Sequence, residues 1–144
     1  MNWQACALAS AFFAGLTAIL AKIGVAGVNS NLATAIRTVV ILVFAWGIVA
    51  AQGTYRTLPS LEKRTLLFLV LSGIATGLSW LFYFRALQLA PPSSVPAVAG
   101  LDKLSLVFTI VLTVLFLKAK VNWEIILGAA LMTAGAVLLT IAKP

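Results

Sequence analysis

Asp102 and Lys103 stand side by side in the apolar run VAGLDKLSLVFTIVLTVLFL, and Arg85 interrupts another, WLFYFRALQLA. Ionised groups inside hydrocarbon are costly, about 2.5 to 3.5 kcal/mol each at mid-membrane on insertion scales, and serve there as ion pairs, proton relays or binding groups for polar cargo. Adjacent helix positions do not face each other, so the expected partner of Asp102 is Arg37 or Arg85 rather than Lys103. A basic partner favours the charged carboxylate and burial the protonated one, which makes Asp102 a candidate for proton coupling. Arg37, Trp80, Tyr83, Arg85, Asp102 and Lys103 together form the candidate set for binding substrate or ion.

Other chemistries are excluded by what the chain lacks. It has no histidine, one cysteine (Cys6) and only three acidic residues, Glu62, Asp102 and Glu124. No metal site of the usual His or Cys type is available, and no paired carboxylate serves general acid–base catalysis. The chain is therefore expected not to be an enzyme. No Gly-x-x-x-x-Gly-Lys phosphate loop is present, and no cofactor is expected.

The elements that must carry these charges are membrane helices. The composition is 62% hydrophobic and 9% charged over 144 residues, with a mean hydropathy of +1.12. Such values lie outside the soluble range, so the partner of the surface is a lipid bilayer. A net charge of +7 would suggest nucleic acid in a soluble protein, but here the basic residues punctuate apolar segments and no nucleic-acid partner is expected. Runs of about 20 apolar residues cross the hydrocarbon core. They predict an all-α integral membrane protein, a single domain over 1–144 forming a bundle of five transmembrane helices at 3–25, 32–51, 65–89, 95–117 and 123–141.

Small residues recur on several spans. Gly15 follows Ala7 and Ala11 at helical spacing, Gly73 and Gly77 form a GxxxG pair, and Gly128 and Gly135 lie in the last span. These five glycines are read as helix-packing positions, so Gly73→Leu is expected to disturb folding. Ser or Asn residues between 29 and 31 can cap the second span. Pro91-Pro92 stops the third span and Pro96 is tolerated in the first turn of the fourth.

Five spans put the loops with Arg56, Lys63, Arg64, Lys118 and Lys120 on one side, the expected cytoplasmic side. Lys22, Arg37, Arg85 and Lys143 fall toward the other, so the bias is slight and insertion in both orientations is allowed. From span ends, Lys22, Arg37, Arg85 and Asp102 come out roughly 5 to 10 Å below that second side. Functionally this reads as a polar vestibule with excess positive charge, suited to an anionic or zwitterionic small molecule. The competing reading is that Lys22 and Arg85 snorkel near helix C-termini. It is preferred for Lys22, and both readings stand for Arg37 and Arg85. The aromatic cluster of Trp80, Phe82, Tyr83 and Phe84 likewise reads as an interfacial belt or a binding wall.

The pattern GLSWLFYFRALQLAPPSSVPAVAGLDKLSLVFTIVLTVLFL, followed by NWEIILGAALMTAGAVLL, resembles one EamA-type unit of the drug/metabolite transporter superfamily. The resemblance covers essentially the whole chain, and Arg37 in AIRTVVILVFAW matches the arginine that commonly begins the second span of such proteins. Many members carry Glu-Pro in the fourth span and Gly-Glu after it, whereas this chain has Asp102-Lys103 and Leu117-Lys118-Ala119-Lys120. The D-K-L-S version resembles the short five-span branch of bacteria and archaea. The resemblance implies a secondary transporter of a small polar metabolite, working by alternating access as a multi-pass protein of the bacterial or archaeal plasma (inner) membrane. It also implies that the chain is half of an inverted-repeat transporter. Two copies inserted in opposite orientations would rebuild the repeat, so an antiparallel homodimer is the preferred assembly, with a parallel dimer or a heteromeric partner as competitors. The alternative function is a non-transporting membrane scaffold or subunit of a heteromeric complex.

Overall fold

In hydrocarbon every backbone N–H and C=O must be satisfied within the protein, which leaves a chain of this composition only helices to build with. The computed structural model describes residues 2–142, so Lys143 lies outside the described residues. They form α1 (Trp3–Gly24), α2 (Ser30–Gln52), α3 (Lys63–Leu89), α4 (Val95–Asp102), α5 (Ser105–Leu117) and α6 (Trp123–Ile141), with short 3-10 turns at Thr54–Ser60 and Pro92–Ser94. Among the described residues there is no strand. Five stretches are long and apolar enough to cross a membrane: α1, α2, α3, the run Pro92–Leu117, and α6. The fold is the all-α integral membrane class expected from the sequence. Large apolar side chains such as Phe12, Phe44, Phe82 and Phe116 are exposed, the reverse of a soluble surface and suited to lipid.

The chain divides into two compact units, one formed by Gly24–Gln88 and the other by the residues up to Ile23 and from Leu89 onward. In the Gly24–Gln88 unit, Asn29 caps α2, its side-chain oxygen accepting from the Asn31 backbone N–H at 2.9 Å. The helix stops at Gly53, whose φ of 70° is the left-handed conformation that glycine adopts without steric cost. Buried Thr34 donates its hydroxyl to the Ser30 carbonyl at 2.9 Å, so a polar side chain enters the interior without an orphaned hydrogen-bonding group. Val25, Phe84 and Leu87 are the buried apolar residues of this unit.

In the second unit α4 packs on α6, and Ala129 and Ala136 are buried. The close approach is made by Gly100. A Cβ built there would stand 2.9 Å from Leu139 Cδ1 and 3.7 Å from Ala136 Cα. None of the glycines expected to pack does the same: at Gly15, Gly73, Gly77, Gly128 and Gly135 a Cβ would meet nothing within 4 Å. A GxxxG spacing permits close approach without saying which partner uses it, and within this chain the partnered glycine carries no such motif.

The fourth span also departs from expectation. Rather than one helix over 95–117, it is two, α4 and α5, separated by a turn at Lys103 and Leu104. The N–H groups of Lys103 and Leu104 donate back to Gly100 and Leu101, both at 3.0 Å. These are three-residue closures of 3-10 type that tighten and interrupt the α-helical ladder.

Gly100→Leu should cost about 1 to 3 kcal/mol through overpacking against Leu139 and Ala136. Gly73→Leu, with open space before it, should cost less than Gly100→Leu. Denaturant titration of the two variants in mixed micelles measures the difference, and a larger loss at Gly73 would contradict the assignment of the close contact.

Candidate functional site

On α3, Trp80, Phe84 and Gln88 are spaced by four residues and share one helix face. On α2, Ser30, Thr34 and Arg37 share another. The two faces meet in the Gly24–Gln88 unit. The guanidinium carbon of Arg37 lies 4.3 Å from the centre of the Trp80 ring and 5.0 Å from that of Phe84. Gln88 donates its amide to the Val28 carbonyl at 2.6 Å. These contacts set the start of α2 beside the end of α3, the arrangement of an antiparallel hairpin.

The ring faces offer Arg37 negative quadrupole density in place of a counter-ion. Among the described residues no carboxylate comes within ion-pairing distance of it. The cation is half-buried, held in orientation by aromatic walls while its N–H donors keep their capacity for an acceptor. A guanidinium presents these donors in a fork that matches carboxylate and phosphate oxygens.

The remaining candidates are distributed differently. Tyr83 meets Phe84 edge to face, with ring centres 6.4 Å apart. Arg85 is exposed and donates from Nη1 to Gln88 Oε1 at 3.0 Å. Lys22 belongs to the other unit, where its part-buried ammonium donates to the Ala90 carbonyl.

Asp102 corrects an expectation. Its ion partner is its neighbour Lys103, with Nζ to Oδ2 at 3.3 Å, while Arg37 and Arg85 are engaged as described above. The rule that adjacent residues do not face each other holds for a continuous helix. Here the ladder is broken at Lys103, which has ψ of −9°.

The structure thus gathers Arg37 with Trp80, Tyr83 with Phe84, Arg85 with Gln88, and Asp102 with Lys103. Sequence reasoning left Gln88 out and placed Phe84 only in the aromatic cluster read as an interfacial belt or a binding wall. The signal that could have found them is the four-residue spacing of 80, 84 and 88, which puts them on the face that receives Arg37.

Several apolar spans with charges seated inside them define a multi-pass membrane protein. Comparison with known proteins narrows the class. The model of the EamA-like transporter family matches residues 1–141, and the chain belongs to that family; it is a membrane transporter. It is 53% identical over 140 residues, covering 97% of both chains, to a Sinorhizobium sp protein described as "Uncharacterized transporter in cobO 3'region". No solved structure matches the chain.

The Arg37–Trp80 contact should be measurable as a coupling. In a double-mutant cycle of Arg37→Gln and Trp80→Leu, followed by unfolding in micelles, the interaction term should be about 0.5 to 2 kcal/mol. Strict additivity would remove the ring as the support of the cation.

Proposed function

We propose that this protein is a secondary transporter that moves a small polar metabolite, anionic or zwitterionic, across a bacterial or archaeal plasma membrane by alternating access. The observation that carries the reading is the seat of Arg37. A cation held within a spanning helix by Trp80 and Phe84, with no carboxylate at ion-pairing distance among the described residues, is an incomplete pair that an anionic cargo group completes. Tyr83 and Arg85 are assigned to the same site as wall and entrance. Asp102 and Lys103, at a break between helices, form a second polar centre in the other unit; discontinuous helices with polar ends near mid-depth suit ion and substrate binding in transporters.

The working assembly is a homodimer of oppositely inserted copies. Five spans per chain put the two ends of the chain on opposite sides, and the slight loop-charge bias allows both insertions. The glycines of α1, α3 and α6 that meet nothing within 4 Å are available for helix packing against a second copy.

Uptake and efflux by the purified chain in proteoliposomes, against a pooled metabolite library, tests the function. Arg37→Gln should lower uptake of the cargo at least about tenfold, the loss expected when a charge-assisted hydrogen bond worth roughly 1.5 to 3 kcal/mol is removed. Asp102→Asn provides the second arm. No flux from well-folded wild-type chain would instead favour a non-transporting subunit.

Orientation is read separately by impermeant thiol labelling of intact cells, with Cys6→Ser as background. A cysteine at Arg56 should be labelled in about half of the copies if the charge bias is as small as the loops indicate. Labelling of all copies, or of none, would contradict the inverted assembly.

A further inference from the structure

Asp102 and Lys103 lie close to the middle of their span, deeper than the roughly 5 to 10 Å expected for Asp102 from the sequence, because the run begins at Pro92 rather than at Val95. The run Pro92–Leu117 has 26 residues, so its centre falls between Leu104 and Ser105, about 3 Å from the pair at 1.5 Å of rise per residue. Both side chains are open, at 39% exposure for Asp102 and 53% for Lys103. Their contact engages Oδ2 of the carboxylate. Among the described residues, Oδ1 and the other ammonium hydrogens have no hydrogen-bond partner. Lipid cannot supply one at that depth, and a side chain at mid-span is too far from the headgroups to snorkel.

We propose that the pair is one half of a four-charge cluster completed by a second, oppositely inserted copy of this chain, in which each Asp102 accepts from the partner's Lys103. The proposal rests on the dimer reading above and deepens it by naming the contact. Two properties of the pair select a second copy over other occupants.

The first is depth. A two-fold axis in the membrane plane carries a group at one height to the same distance on the other side of the midplane, so only groups near mid-depth meet their own counterparts. Asp102 and Lys103 satisfy that condition. Lys22 near the end of α1, Arg37 in the early turns of α2 and Arg85 near the end of α3 do not.

The second is charge. A lone cation or carboxylate would repel its own copy, whereas an adjacent acid and base are self-complementary under the two-fold. The resulting ring alternates in sign, carries no net charge and gives each carboxylate two ammonium partners. A cargo molecule, by contrast, would have to bring both signs of charge in the matching order.

The full chain, labelled with donor or acceptor dye at exposed Cys6 and diluted into liposomes, provides the test through energy transfer between copies. Asp102→Lys and Lys103→Asp each place like charges across the two-fold and should weaken self-association at least about tenfold. Mixing the two variants should restore association to near the wild-type level, because each chain then meets its opposite. The double reversal Asp102→Lys/Lys103→Asp should also self-associate. Recovery on mixing shows that single-variant losses are not failures of folding. If wild type self-associates but mixing gives no recovery, or if the single variants associate as wild type does, the cluster is wrong while the dimer stands. If wild type shows no transfer, the dimer reading falls, and the cluster with it.

Discussion

The charge of Arg37 has to be solvated by protein, because it stands on the third turn of a helix that crosses hydrocarbon. Water stabilises a guanidinium by many weak, exchanging contacts; α3 replaces them with two fixed ring faces. The replacement works only if α2 and α3 are held together at that level. The rest of the Gly24–Gln88 unit supplies this condition. Asn29 fixes where α2 begins, Gln88 ties the end of α3 to the Val28 carbonyl, and buried Phe84 and Leu87 close the end of the hairpin. The buried hydroxyl of Thr34 turns back onto its own helix, so the junction carries polar groups without leaving them unsatisfied. An arginine in this setting is specific without being saturated. The rings constrain its plane, and its in-plane donors remain able to bind an acceptor.

The other unit handles its charges by a different route. It places opposite charges on consecutive residues and breaks the helix so that they reach each other. Nearby, the approach of α4 to α6 at Gly100 anchors the first half-helix through packing with Ala136 and Leu139. α4 is thus held by van der Waals contact along its length, and the interruption sits at its exit rather than within the packed segment.

The spans were legible in the sequence because bilayer thickness sets a length that a chain meets with a continuous apolar run, and four of the five helices lie within two residues of the expected bounds at each end. The interruption of the fourth span was not legible. Neither Lys103 nor Leu104 is a glycine or proline, and a run such as LSLVFTIVLTVLFL reads as uninterrupted helix. Missing the break also produced the wrong partner for Asp102, since the geometry of an unbroken helix had separated it from Lys103. Arg37 was legible as an intramembrane charge, but its seat depended on which face of α3 it met. For the glycines, spacing identified residues able to pack, whereas the packed one, Gly100, was selected by the approach of α4 to α6, a property of tertiary structure that no local pattern contains.

The length of α3 has a consequence for the membrane around it. At 27 residues it extends about 40 Å, against a hydrocarbon core of roughly 30 Å. The excess can be taken up only by leaning the helix, by extending its basic first turn at Lys63 and Arg64 into the headgroups, or by thickening the nearby lipid. Because Trp80 and Phe84 ride on the same rigid rod, the lean that a given bilayer imposes also sets the depth at which the aromatic seat lies. Acyl-chain length is therefore an input to this hairpin: thick membranes hold the rod upright, and thin ones lay it over.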